Sequence, residues 1–325
     1  MIFTLTIIFI KDNDGVMHPV PRRRASRAAT AALAVCALAL TACSTTGEAA
    51  EDDGLSVVTS TAIWGDVADA VLTDQDAAVH PIVEARNVDP HSFEPAAADL
   101  VRASEADLVV VGGGGYDAWL YRDLAEGGDG PEVIHALPLA GHDHSHDDGH
   151  DHDHDHDHDH ESNEHIWYDT EAVAAVASDL AAAVTALDPE AEVDAQPVID
   201  EMAALAERVA ALPDLRVAQT ETIADYLVAD SGMKDVTPES YRSAALRHTE
   251  PAAADLAAFL ELIDSGDLEL LIHNPQTKTD MSERIRDAAE DAGVSVVEIG
   301  ETPPEGTDFL DYFHQIIDEL ETVAA

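Results

Sequence analysis

Between Gly141 and Asp169 the chain reads GHDHSHDDGHDHDHDHDHDHESNEHIWYD; ten of these residues are histidine, and Asp and His alternate strictly from Asp151 to His160. Neutral imidazole is the commonest protein ligand for borderline divalent metals, and carboxylates add oxygen ligands. The run holds almost nothing apolar to bury, so no packed core can offset its ordering entropy. It is expected to be a flexible tether that collects divalent cations.

Four further residues have the right type for metal ligation and stand beside segments that read as ordered. They are His91 in DPHSFEP, His165 in NEHIW, Glu221 in TETIADY and Glu301 in GETPP. Two imidazoles and two carboxylates could close around one divalent cation. On the residues alone, Glu221 is also readable as a helix N-terminal carboxylate favoured by the helix dipole, and Glu301 as a solvated loop acid. His80, His135, His248, His273 and His314 read as structural or exposed, and Trp64, Trp119 and Trp167 as packing residues.

Elements that would carry these residues are legible from apolar patterning. Strands are expected at Leu55–Ser60, Val79–Val83, Leu108–Val111 and Val133–Leu137, with helices at Ile63–Leu72 and Ala96–Ser104 between them. Gly112, Gly113, Gly114 and Gly115 lack the spacing of a dinucleotide-binding loop and are read as a tight turn at the sheet edge. Val173, Val176, Leu180, Val184 and Leu187 recur at helical spacing, and a second helix is expected between Pro197 and Pro213. The alternation then resumes with strands near Leu215–Gln219, Leu268–His273 and Val294–Ile299. Helices are expected near Ile223–Ser231, Ala252–Ser265 and Ser282–Ala292, with a closing amphipathic helix from Asp308 to Val323. Strands alternating with helices predict an α/β fold: two parallel-sheet lobes joined by a long connector helix. In open α/β sheets ligands bind beyond the carboxyl ends of the strands, so the metal site is expected in the cleft between the lobes. The expected divisions are a signal over 1–42, a spacer over 43–54, and an N-terminal lobe over 55–140. A His/Asp-rich loop over 141–164, connector helices over 165–213 and a C-terminal lobe over 214–325 complete them.

Arg22, Arg23, Arg24 and Arg27 precede an apolar run from Ala28 to Leu40 that ends in Leu40-Thr41-Ala42-Cys43. This resembles a bacterial lipoprotein signal, with Cys43 acylated and the protein anchored to the outer face of the membrane. The residues before Met17 fit no part of such a signal, so Met17 is a candidate start. Cys36 and Cys43 are the only cysteines; with Cys36 inside the signal, no intramolecular disulfide and no thiolate metal site remain. The 66 acidic against 16 basic residues give a net charge of −50. Such a surface repels nucleic acid and concentrates cations.

The stretch DPHSFEPAAADLVRASEADLVVVGGGGYDAWL resembles the first-lobe motif of the metal-binding lipoproteins of bacterial ABC importers for zinc and manganese, the ZnuA/TroA-like family. The resemblance runs over about residues 55 to 320, and HNPQT at His273–Thr277 is similar to one branch of that family. It implies His91 as the first ligand, and His165 as the second although NEHIW lacks the usual Asp-Pro. Glu221 falls at the third place and Glu301 at the fourth. The implied function is extracytoplasmic capture of a divalent metal and its delivery to the membrane permease of an ABC importer, by a monomer and without catalysis. Zinc is favoured because imidazole prefers it to manganese, while two carboxylates pull toward manganese or iron. A metallo-hydrolase, or a surface metal buffer or adhesin, are the alternatives. No HExxH and no serine nucleophile elbow is present for the former.

Overall fold

The computed structural model describes residues 9–11, 17–19, 54–73, 75–84, 93–125, 130–137 and 163–323. The chain divides into two compact units, Met1–Asp53 and Gly54–Ala325. In the first unit, β1 (Phe9–Lys11) pairs antiparallel with β2 (Met17–Pro19), Ile10 facing His18.

The second unit holds two four-stranded parallel sheets. One is ordered β4-β3-β5-β6, from β3 (Leu55–Thr61), β4 (Ala77–Val83), β5 (Leu108–Gly113) and β6 (Glu132–Leu137). The other is ordered β10-β9-β7-β8, from β7 (Arg216–Gln219), β8 (Lys234–Asp235), β9 (Leu270–His273) and β10 (Ser295–Glu298). The inner strands β5, LVVVGG, and β9, LLIH, are buried throughout. That is the signature of parallel strands covered on both faces.

Side chains that alternate along a strand go to opposite faces. Val57, Leu108, Val110, Leu270 and Ile272 accordingly enter one large core, while Val58, Val109 and Val111 enter a smaller cluster under the first sheet and Leu271 enters one under the second. The large core takes residues from both sheets and from the helices between them in sequence. These helices are α4 (Thr170–Leu187) and α5 (Gln196–Ala210), which follow α1 (Ala62–Val71), α2 (Ala97–Glu105) and α3 (Ala118–Ala125). Asp169 starts α4 by accepting from the backbone N–H groups of Glu171 and Ala172. Val173, Val176, Leu180 and Val184, and on α5 Val198, Met202, Leu205 and Val209, form the buried stripes.

The second lobe adds α6 (Asp225–Asp230), α7 (Glu239–Leu246), α8 (Ala253–Ser265), α9 (Asp280–Ala292) and α10 (Phe309–Val323). The sequence patterning misses α3, β8 and α7. β8 has two residues, and α3 and α7 have eight each, only about two helical turns, too few for an apolar stripe to stand out. The helix expected over Ile223–Ser231 is split into a 3₁₀ turn, Thr222–Ala224, and α6.

Phe309 and Phe313 of α10 pack on Tyr168, with the Phe313 ring 5.4 Å away in an edge contact. The first N–H of α10 donates to Asp66 Oδ2 of α1 at 2.8 Å. Burial, reinforced by Asp308 and Asp69, pushes the Asp66 carboxyl from 3.8 to about 6 against the lowering effect of the Phe309 bond. The folded chain thus keeps this proton to higher pH than the unfolded chain, and this group's contribution to stability falls as pH rises from about 4 to 6. Asp66→Asn keeps an acceptor for Phe309 without the charge. Thermal melts should find it about 1–2 kcal/mol more stable than the parent at pH 7 and indistinguishable at pH 4. Equal melting at pH 7 would refute this.

Candidate metal centre

The carboxyl ends of the strands in both sheets lead to the same place. β7 runs into Thr220 and Glu221, β9 ends at His273 and is followed by Asn274, β10 is followed by Gly300 and Glu301, and β5 ends in the glycine turn before Tyr116. His165 stands immediately ahead of a 3₁₀ turn, Ile166–Tyr168, whose three side chains are all buried. One potential ligand atom from each of His165, Glu221 and Glu301 lies within 4.8 Å of the others. His91 lies outside the described residues. Phe93, two residues on, packs on Trp119 with ring centroids 4.9 Å apart.

His165 is 1% exposed. Its Nδ1 sits 2.8 Å from Asn163 Oδ1, which also accepts from the His165 backbone N–H at 3.0 Å. The other end of that amide, Nδ2, donates to Thr222 O at 2.6 Å and Asp225 Oδ2 at 2.9 Å. This network sets the amide, so Oδ1 is the acceptor; we therefore assign the ring proton to Nδ1, with the lone pair on Nε2, as a metal ligand requires. The Asp225 carboxylate is in turn gripped by both Nη atoms of Arg242 at 2.7 Å. Tyr226 donates to Asn163 O at 2.7 Å, and burial pushes its hydroxyl up to about 12, so it stays a donor.

Glu301 is fully buried, which excludes the solvated loop acid. Oε1 accepts from Asn274 Nδ2 at 2.9 Å and Oε2 from Tyr116 at 3.0 Å. Burial, then the Glu301 charge, raises the Tyr116 hydroxyl well above its ordinary range. Tyr168 donates to Gly300 O at 2.6 Å, so the turn carrying His165 also fixes the residue ahead of Glu301. Glu221 precedes the 3₁₀ turn Thr222–Ala224, but its side chain makes no capping bond there. Its Oε2 instead accepts from Asn274 Nδ2 and Thr277 Oγ1.

The glycine run fulfils its expected role as a turn, at the end of the inner strand β5. Gly113, Gly114 and Gly115 have φ of +84°, +65° and +123°, and a Cβ on Gly113 would sit 2.6 Å from Leu137 O. Asp117 holds the turn by accepting from Gly112 N at 2.6 Å and Gly113 N at 3.0 Å, and burial pushes its carboxyl up to about 6.

None of the other five described histidines of the second unit joins this cluster. His80 is exposed; His135 packs edge-on against Tyr121; His248 pairs with Glu164 at 3.2 Å, and His314 with Glu201 at 3.0 Å. His273 is fully buried beside Thr220, and burial lowers its pKa. Trp64 and Trp167 are fully buried, as packing residues should be. Arg242 carried no signal in the sequence, while Tyr116 and Asn163 lie in stretches that stood out only by resemblance. Asn274 and Thr277 lie in HNPQT, which stood out only by resemblance.

Two carboxylates held this close repel one another, and a divalent cation offsets that repulsion. One imidazole and two carboxylates form a mixed nitrogen and oxygen donor set suited to zinc, manganese or iron.

Residues 57–323 match the model of the zinc-uptake complex component A family, periplasmic, ZnuA. A stretch of 95 residues is 34% identical to the manganese-binding lipoprotein MntA of Halalkalibacterium halodurans, spanning 29% of this chain and 30% of that protein. The fold is similar to a crystal structure of ZnuA, with TM-score 0.61 and 19% identity over 84% of this chain and 98% of that one. It is equally similar to the laminin-binding protein Lmb of Streptococcus agalactiae, described as a bifunctional protein with adhesin and metal-transporting activity. That likeness has TM-score 0.62 and 20% identity over 83% of this chain and 98% of that one. At these identities the solved structures speak for the fold, while the family model covers most of the chain: the protein belongs to the zinc-uptake complex component A family.

Proposed function

We propose that this chain is an extracytoplasmic binding protein that captures one divalent metal ion between its lobes and delivers it to the membrane permease of an ABC importer. The carrying observation is the convergence of His165, Glu221 and Glu301 at the strand ends. His91 is proposed as the fourth ligand. Catalysis is not part of the role. Zinc is the favoured cargo, on the strength of the His/Asp run at 141–161, of two imidazoles among four ligands and of the family matched. Manganese is the second reading, favoured by the two carboxylates and by the partial likeness to MntA.

The His/Asp run, which lies outside the described residues, is proposed on its composition as a low-affinity collector, because ordering a ligand set with almost nothing apolar to pack costs entropy on binding. Deleting Gly141–Glu161 should lower the number of zinc ions bound yet leave one tight site, read by elemental analysis and by competition titration with zinc and manganese. Loss of all tight binding on that deletion would make the run itself the main site and overturn the proposal.

Lipid on Cys43 is proposed to hold the protein to the outer face of the membrane, given Leu40–Cys43 behind an apolar run. Fractionation of cells carrying Cys43→Ala should find the protein released. Persistent anchoring of that variant would sink the idea.

A further inference from the structure

Asn274 is 1% exposed and its side chain is fixed at both ends. Oδ1 accepts from the Gln276 backbone N–H at 2.9 Å, so the amide cannot be reversed without losing that bond. Its own backbone N–H donates to Thr220 Oγ1 at 3.2 Å. Nδ2 therefore faces the two carboxylates, donating to Glu221 Oε2 and to Glu301 Oε1. Thr277 Oγ1 donates to the same Glu221 oxygen. Gln276, between them in sequence, holds the Glu301 loop by accepting from the backbone N–H groups of Glu301 and Thr302.

A carboxylate oxygen offers two lone-pair directions. Glu221 Oε2 has both engaged by neutral donors, so Glu221 can present only its other oxygen to a metal ion. Zinc is satisfied by four ligands at about 2.0–2.2 Å and gains little from a second carboxylate oxygen. Manganese is a harder ion that favours six oxygen-rich ligands, and a chelating carboxylate is one way to supply them in a crowded protein site.

We propose that Asn274 and Thr277 are specificity-determining residues that tilt the site toward zinc by holding Glu221 to single-oxygen coordination. This rests on the reading of His165, Glu221 and Glu301 as the metal site. Without the two donors the Oε2 lone pairs of Glu221 are open to chelation, and the coordination number that manganese needs becomes accessible.

The test uses the full chain, with a competing chelator present at a level that strips weakly held metal. Zinc and manganese affinities are measured for the parent, Asn274→Ala, Thr277→Val, the double variant and Thr277→Ser. The expected result is at least a tenfold fall in the zinc-to-manganese affinity ratio for the double variant, with smaller falls for the single ones. Thr277→Ser, which retains the hydroxyl donor, restores the parent ratio. The visible spectrum of the Co²⁺-loaded protein reports the coordination change independently, passing from intense four-coordinate bands in the parent to weak six-coordinate bands in the double variant. Equal weakening of both metals, with the ratio and the Co²⁺ spectrum unchanged, would make the two residues merely structural and overturn the proposal. Should Asn274→Ala fail to fold, the Thr277 pair carries the same comparison. A parent without a tight zinc site overturns the reading of the site, and this proposal with it; a tight parent site with an unmoved ratio overturns this proposal alone.

Discussion

Replacing His165 with alanine is expected to abolish most of the zinc-dependent rise in melting temperature of the protein lacking residues 141–161. A ligand that binds only the folded state stabilises it by about 4 kcal/mol when present at a thousandfold excess over its dissociation constant. His165 is 1% exposed and oriented by Asn163 at 2.8 Å, so its loss removes the preset nitrogen donor of the cluster. The same melt run with His91→Ala tests the fourth ligand, and a comparable loss assigns it. Acid should release the metal from the parent, because imidazole and carboxylate bind only in their deprotonated forms. A His165→Ala protein that melts with the parent's full zinc-dependent shift would show that the cluster is not the binding site.

Arg242→Leu is expected to cost about 3–5 kcal/mol of folding stability, the range found when one partner of a buried ion pair is removed. Asp225 is 7% exposed and takes a two-pronged grip from Arg242 at 2.7 Å, and Arg242 also reaches Asp235 at 2.8 Å. Without the guanidinium, the Asp225 charge keeps only neutral donors among its described partners, Gln219 and Asn163. The variant should therefore also bind zinc more weakly, since Asp225 orients the amide that orients His165. Denaturant unfolding measures the first effect and competition titration the second. A stability within about 1 kcal/mol of the parent, the size of an ordinary surface ion pair, would mean that solvent compensates Asp225 and that Arg242 does not govern the His165 network.

The gross architecture is readable from local pattern because the central sheet strands are apolar runs, and the long helices repeat their apolar positions every three or four residues. Leu108–Val111 and Val173–Leu187 announce themselves in this way, and the structure has β5 and α4 there. Fold class and candidate ligands follow, because parallel strands deliver their carboxyl ends to one side and His165, Glu221 and Glu301 stand near such ends. Lys234–Asp235 is only two residues long, and Glu239–Leu246 is about two helical turns with few large apolar side chains, so neither stands out by its pattern.

What the tertiary structure alone decided is which polar groups meet. Tyr116 reaches Glu301 across 185 positions, Asn163 reaches Asp225 across 62, and Asn274 joins Glu221 to Glu301 across 53 and 27. No local period encodes such pairings. A side-chain hydrogen bond needs donor and acceptor within about 3 Å at a favourable angle, and only the docking of the two sheets around their shared core brings these groups to that distance. The residue types of the candidate metal site can thus be read along the chain, but the orientation of its imidazole and the donors that meet its carboxylates arise from contacts that exist only once the chain has folded.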